Sequence, residues 1–176
     1  MRTSLLFVLT ALVFCLPGPR AQGRESPTTI ILIRHAEKDT MKTDPPLTLR
    51  GGERAQLLAR MLKTSGVRST HTTQYRRTQA TMAPTDSLLG ITNEIFEANP
   101  ESLEAHAVAL VRHLLASHRG ETTAVSSHSN VLPLILRALG IDAPITIGDR
   151  DYDNLFVVTF SGTSPPAFVR LQMGME

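Results

Sequence analysis

The chain has 176 residues, 41% hydrophobic and 19% charged, which supplies one core of ordinary domain size and excludes a disordered chain. With two tyrosines, no tryptophan and no basic run interleaved with aromatics, it lacks a stacking platform for bases, so nucleic acid is not an expected partner. The formal net charge of +2 belongs to the N-terminus. There Arg2 precedes an apolar stretch from Leu5 to Leu16, followed by Pro17, Gly18, Pro19 and the small residues Ala21 and Gly23. That order reads as a secretory signal peptide over residues 1–23, with an uncleaved anchor as the alternative. The stretch is shorter than the roughly 20 residues of a membrane span. Cleavage after Gly23 removes Arg2 and Arg20 and leaves 16 basic against 16 acidic residues. Cys15, the only cysteine, leaves too, so residues 24–176 form one domain with neither disulfide nor thiol nucleophile. Secretion or a periplasmic location, without membrane contact after cleavage, is the expectation.

Beyond the signal, strand-like and helix-like periodicities alternate. Thr28 to Ile33 reads as a strand, an unbroken β-branched run of the kind a sheet buries on both faces. A loop carrying Pro45 and Pro46 leads to Thr48, which can cap a helix with Leu57, Leu58, Met61 and Leu62 on its apolar side, ended by Ser65 and Gly66. Val67 to Thr73 reads as a second strand, and helical pattern resumes near Arg76 until Pro84 interrupts it, as a break or a new first turn. Ile91 to Phe96 suits another strand. Asn99, Pro100 and Glu101 resemble a helix start, with a buried face from Leu103 to Leu115 and a stop near Gly120. Thr122 to Ser126 is strand-like, Val131 to Leu139 helical and closed by Gly140, and Leu155–Phe160 and Phe168–Leu171 give two late strands. The alternation predicts a three-layer α/β/α sandwich with a mostly parallel central sheet.

In such sheets ligands bind beyond the carboxyl ends of the strands. Three of those ends carry a cation or an imidazole: Arg34-His35 after the first, Arg76-Arg77 after the second, His128 after the fourth. The text Leu32-Ile33-Arg34-His35-Ala36-Glu37-Lys38 resembles the Arg-His hallmark of the histidine phosphatase superfamily, the phosphoglycerate mutase-like group. Thr73 to Thr81 resembles the segment holding that family's second Arg, in a register that selects Arg77, and His128 in Ser127-His128-Ser129-Asn130 matches its second His. Pro46-Leu47-Thr48 and Tyr152-Asp153-Asn154-Leu155 are similar to small secreted members, so the resemblance spans nearly all of the mature chain.

The chemistry follows from residue types. Transferring a phosphoryl group needs an in-line nucleophile and positive charge around three equatorial oxygens. Arg34 and Arg77 supply planar forks for those oxygens, and Lys38 a further contact. His35 attacks phosphorus through an unprotonated ring nitrogen that the two guanidinium groups help keep neutral, and His128 donates a hydrogen bond to the flattening phosphoryl group. A phosphohistidine then hydrolyses, splitting one displacement into two. The scheme needs no metal and no cofactor. The expected function is a metal-independent phosphohydrolase of the histidine acid type, acting on phosphoric ester or phosphoramidate bonds of a small phosphorylated substrate. A phosphoglycerate mutase-type phosphotransferase and a non-catalytic phosphate-binding module are the alternatives.

The resemblance also implies a proton donor, either an acid in the segment after the second Arg or an Asp directly after the second His. Ser129 occupies the latter place, so Glu94 is expected to be the acid, with Glu97 behind it. If neither reaches the site, leaving groups that need little protonation are favoured: phosphoramidates, acyl and aryl phosphates. His106, His113 and His118 share a predicted helix but lack an i, i+4 ligand pair and read as surface residues, and His71 reads as a structural strand residue. Ser127 and Ser129 lack a nucleophile elbow, so a serine hydrolase is not expected.

Overall fold

The computed structural model describes residues 26–40 and 43–175. The signal segment read from residues 1–23 lies outside them. Six strands form one sheet in the order β3-β2-β4-β1-β5-β6. These are β1 (Thr28–Arg34), β2 (Val67–Thr72), β3 (Glu94–Ile95), β4 (Thr122–Ser127), β5 (Asn154–Phe160) and β6 (Ala167–Gln172). The first four pair in parallel, whereas β5 runs antiparallel to β1 and β6 antiparallel to β5. Among the described residues there are four helices: α1 (Leu49–Leu62), α2 (Arg76–Leu89), α3 (Leu103–Ser117) and α4 (Leu132–Ala138).

The alternation of β1 sorts the helices into two layers. Ile30 and Leu32 join Leu110, Leu114, Leu132, Ile135 and Phe156 in the core beneath α3 and α4. Ile31 and Ile33 join Leu58, Leu62 and Met82 beneath α1 and α2. Both faces of the strand are thereby covered, which is why it carries no polar residue between Ile30 and Ile33. The mostly parallel three-layer architecture read from the sequence is the one observed.

Two elements differ from the sequence reading. Pro84 does not interrupt α2, which runs through it from Arg76 to Leu89 and ends at Gly90 with φ +66°. Proline removes the backbone donor that would reach the Ala80 carbonyl, and α2 runs through it with Thr78, Thr81, Met82 and Thr85 buried along one face on both sides of Pro84. The strand expected over Ile91–Phe96 shrinks to Glu94–Ile95 at the sheet edge, where both residues are exposed and no core rewards a longer ladder.

Candidate active site

The register of the sheet assembles the site. Parallel pairing sets Arg34 opposite Ser127, and the His35 amide donates to the Ser127 carbonyl at 2.9 Å. The residues that follow, His35 and His128, therefore leave neighbouring strands side by side, with ring centroids 5.5 Å apart. On the other flank of β4, Thr72 pairs with Ser126, which brings Thr73 beside His128. The three strand ends singled out in the sequence thus open onto one cavity of about 390 Å³, lined by Arg34, His35, Lys38, Arg77, His128 and Asp149 among others.

Hydrogen bonds fix the imidazoles. His35 Nδ1 lies 2.8 Å from the Ala36 carbonyl oxygen. A carbonyl only accepts, so Nδ1 carries the proton and Nε2 is left with its lone pair. Burial pushes the His35 pKa down to about 4, opposed by the Ala36 carbonyl and helped by the charges of Arg77, Arg34 and Lys38. His128 Nε2 sits 3.0 Å from Thr73 Oγ1, and an Arg77 nitrogen approaches its Nδ1 at 3.5 Å. The guanidinium can only donate, so Nδ1 accepts and Nε2–H donates to Thr73, whose hydroxyl passes the chain to Thr78 at 2.9 Å and on to the Tyr75 carbonyl at 2.8 Å. Burial first, then Arg77, lowers the His128 pKa to about 3.

The two arginines are braced from behind. Arg34 Nη1 donates to the carbonyls of Gly148 (2.7 Å), Asp149 (3.1 Å) and Asp151 (3.3 Å), and its guanidinium lies 4.1 Å from the Tyr152 ring centre. Arg77 stacks on Tyr75 at 4.3 Å and meets Asp44 at 3.5 Å. Burial draws the Arg77 pKa down, with Asp44 working against it. In both side chains Nε–H is buried and bonded to nothing in the protein. Such donors are costly when unpaired, and the two guanidinium groups that carry them line one cavity, the arrangement an anion site requires.

The His35 segment is itself clamped. Glu37 receives both faces of the Arg54 fork at 2.7 and 2.9 Å, and α1 comes so close that a methyl group on Gly51 would lie 2.1 Å from the Glu37 carbonyl oxygen. Glu37 therefore holds the loop, while Lys38 reaches the cavity.

A sequence model described as histidine phosphatase superfamily (branch 1) matches residues 30–99. No curated protein matches the chain by sequence. Among solved structures, a phosphoserine phosphatase from Entamoeba histolytica in complex with 3-phosphoglyceric acid superposes with a TM-score of 0.66 at 15% identity, covering 84% of this chain and 98% of that one. A mycobacterial glucosyl-3-phosphoglycerate phosphatase gives 0.62 at 14% identity, covering 76% of this chain and 90% of that one. YhfR of Bacillus stearothermophilus gives 0.66 at 17%, covering 82% and 96%. The sequence model covers less than half of the chain, and at these identities the likeness to the solved structures is one of fold. The phosphoglycerate mutase-like fold is common to all these neighbours.

Against the superfamily reading of the sequence, Arg34, His35, Arg77, His128 and Lys38 come together and Glu94 does not. The Glu94 carboxylate lies 3.0 Å from His113 Nε2 and 3.7 Å from His71 Nδ1, away from the cavity lining. The cause is register: Glu94 pairs with His71, two positions before the end that Thr73 marks, so its side chain joins His71 rather than His128. Glu97 is exposed and offers its carbonyl to His106 at 3.1 Å. The carboxylate on the cavity wall is Asp149, on an exposed loop. Sequence reasoning also passed over Thr73 and Tyr75, whose roles arise from strand pairing and stacking; the aromatic two residues before Arg77 was the available signal.

Proposed function

We propose that the protein is a phosphohydrolase working through a phosphohistidine on His35. The observation that carries this is the bare Nε2 of His35, fixed by the Nδ1–H bond to Ala36 at 2.8 Å, beside two arginines with buried, unpaired Nε–H groups. The guanidinium forks hold the equatorial oxygens of a phosphoryl group, and the Nε2 lone pair attacks phosphorus opposite the leaving atom. The P–O or P–N bond breaks, and its electron pair departs with the leaving group. His128 Nδ1 accepts from the Arg77 guanidinium at 3.5 Å and its Nε2–H is held by Thr73, so His128 orients the fork that carries the phosphoryl oxygens. Water then attacks the phosphohistidine, phosphate leaves, and His35 Nε2 recovers its lone pair.

Leaving-group chemistry narrows the substrate. With Glu94 committed elsewhere and Asp149 on an exposed loop, leaving groups that need little protonation are favoured: phosphoramidates, acyl phosphates and aryl phosphates. A neighbour from Nakamurella multipartitia, assigned as a candidate SixA phosphohistidine phosphatase, shares the fold at a TM-score of 0.58 and 19% identity, covering 85% of this chain and 98% of that one. The N-terminal apolar segment supports export of this activity, with Gly23 the expected last residue removed.

The test is a phosphatase assay with an aryl phosphate, a phosphoramidate and an alkyl phosphate, combined with alkaline-quench trapping of labelled enzyme, since the P–N bond of a phosphohistidine survives base and not acid. The expected outcome is turnover of the first two, a label on His35 and its loss in His35→Ala. Tight phosphate binding without turnover of any substrate overturns the enzyme reading in favour of a binding module.

A further inference from the structure

Four of the six histidines of the chain lie outside the cavity lining, and three of them, His71, His113 and His118, gather around Glu94. His71 comes from β2, Glu94 from β3, and His113 and His118 from α3 and the residue that caps it. Each offers one ligand atom, and these four atoms lie within 4.8 Å of one another. We infer that His71, Glu94, His113 and His118 form a binding site for a divalent transition-metal ion of the zinc type, separate from the phosphate-binding cavity.

The geometry of two pairs already suits such an ion. His71 Nε2 and His118 Nε2 are 3.2 Å apart, and His113 Nε2 and Glu94 Oε1 are 3.0 Å apart. With metal–nitrogen bonds of about 2.0–2.1 Å, the edge of a tetrahedron is roughly 3.3 Å. Three imidazoles and one carboxylate also match the ligand preference of Zn²⁺, Co²⁺ and their neighbours rather than of Mg²⁺ or Ca²⁺.

Proton accounting points the same way. His118 Nδ1 lies 3.1 Å from Glu121 Oε2 and 3.3 Å from Ser69 Oγ. The carboxylate takes the Nδ1 proton, which turns a bare Nε2 inward; a carboxylate behind a histidine is the usual support of a metal ligand. His71 then has no satisfactory tautomer. With its proton on Nε2 it serves His118 but sets the Nδ1 lone pair against the Glu94 carboxylate at 3.7 Å, and with its proton on Nδ1 it sets two Nε2 lone pairs against each other at 3.2 Å. His71 is 1% exposed, and neither its Nδ1 nor His113 Nε2 makes an aligned hydrogen bond, although Glu94 is within reach of both. A cation held by Nε2 of both His71 and His118 removes the opposition of those two lone pairs and leaves the His71 Nδ1 proton facing the Glu94 carboxylate. The ring of Phe96 packs 5.6 Å from that of His113.

The sequence hid this set because its members come from three elements. His113 and His118 are five residues apart, outside the helical ligand spacing, and meet only because His118 leaves the helical track at φ −122°, ψ 31°. Bound metal would tie the two-residue edge strand to α3 and brace β2 two residues ahead of Thr73.

The experiment titrates the tag-free full chain, stripped by chelator, with Co²⁺ and then Zn²⁺. One equivalent of Co²⁺ should develop the visible absorption of a tetrahedral site, Zn²⁺ should displace it, and Zn²⁺ should raise the melting temperature. Glu94→Gln at an exposed position and His113→Ala at a half-buried one, both checked for folding by circular dichroism, should weaken binding at least tenfold and lose the thermal shift. Glu121→Gln should weaken affinity about 10–100-fold while keeping one-to-one stoichiometry. Absence of the cobalt band, or binding that survives Glu94→Gln and His113→Ala but falls with His35→Ala, overturns the assignment. None of these readouts involves phosphatase turnover.

Discussion

The imidazoles of His35 and His128 face Arg34, Arg77 and Lys38, whereas those of His71, His113 and His118 face Glu94 and Glu121. Both groups are built off the same half of the sheet, with Thr73 and His71 only two positions apart on one chain segment. The side chain is the same; the company differs, and the sign of the missing charge differs with it. Among guanidinium groups with unpaired Nε–H donors the unfilled partner is an anion, and among carboxylates with opposed lone pairs it is a cation. Histidine tolerates both surroundings because its second nitrogen can be committed to a carbonyl, a threonine or a carboxylate, leaving the first to the ligand.

The sharpest way to break that contrast is to remove the nucleophile. His35→Ala should abolish turnover of an aryl phosphate, a loss on the order of 10⁶-fold as for other nucleophile deletions, while leaving Co²⁺ titration of the second cluster unchanged. Steady-state rates and cobalt absorbance on the same preparation check both halves. Next in size is the anion clamp. Arg77→Lys keeps the charge but loses the fork, the stacking on Tyr75 and the contact to His128, and should lower kcat by about 10²–10³-fold. A variant within threefold of the parent would show that Arg77 serves as a point charge only.

A smaller effect separates framework from chemistry. Gly51→Ala places a methyl group against the Glu37 carbonyl at 2.1 Å, backbone against backbone, so α1 or the loop after His35 must move. A stability loss of roughly 1–3 kcal/mol is expected from such overpacking, read as a lower urea midpoint, with kcat reduced because Glu37 is two residues from the nucleophile. The metal cluster lies across the sheet from α1, so its affinity for Co²⁺ should hold.

How much of this was legible depends on how local the cause is. The β-branched run of β1 announces a strand buried on both faces, and the Arg-His pair at its end announces the cavity, because strand ends in parallel sheets converge. Arg77 and His128 follow from the same rule. Glu94 fails under it: its place depends on a two-residue edge strand whose register pairs it with His71, a non-local choice that neither alternation nor charge encodes. Thr73 was hidden for a similar reason, since its partner lies 55 residues away. Pro84 misled because local propensity says stop, while packing of α2 against α1 and the burial of Met82 and Thr85 carry the helix through. The histidines of α3 read as surface residues because only the fold brings a buried β2 imidazole to them.

The gentlest probe is the proton itself. Burial, assisted by the neighbouring cations, holds His35 at about 4 and His128 at about 3, whereas an unfolded histidine titrates near 6.5. A nucleophile governed by the free-solution value would lose kcat/KM below pH 6.5; here the limb due to His35 should wait until about pH 4, once the ionisation of the substrate has been divided out. Imidazole nitrogen shifts followed by NMR should show His35 Nε2 unprotonated at pH 5.5. The same depression has a stability sign. Between about pH 6.5 and pH 4 the unfolded chain binds protons that the folded site refuses, so stability falls as the pH is lowered through that window and levels off below both site values. Replacing Arg77 by Ala removes a cation and opens the cavity to water, and both changes raise the two pKa values. The acid limb should therefore move toward neutrality and the pH-sensitive window should narrow. An unmoved limb in that variant would show that depth in the fold alone, and not the surrounding cations, keeps the nucleophile bare.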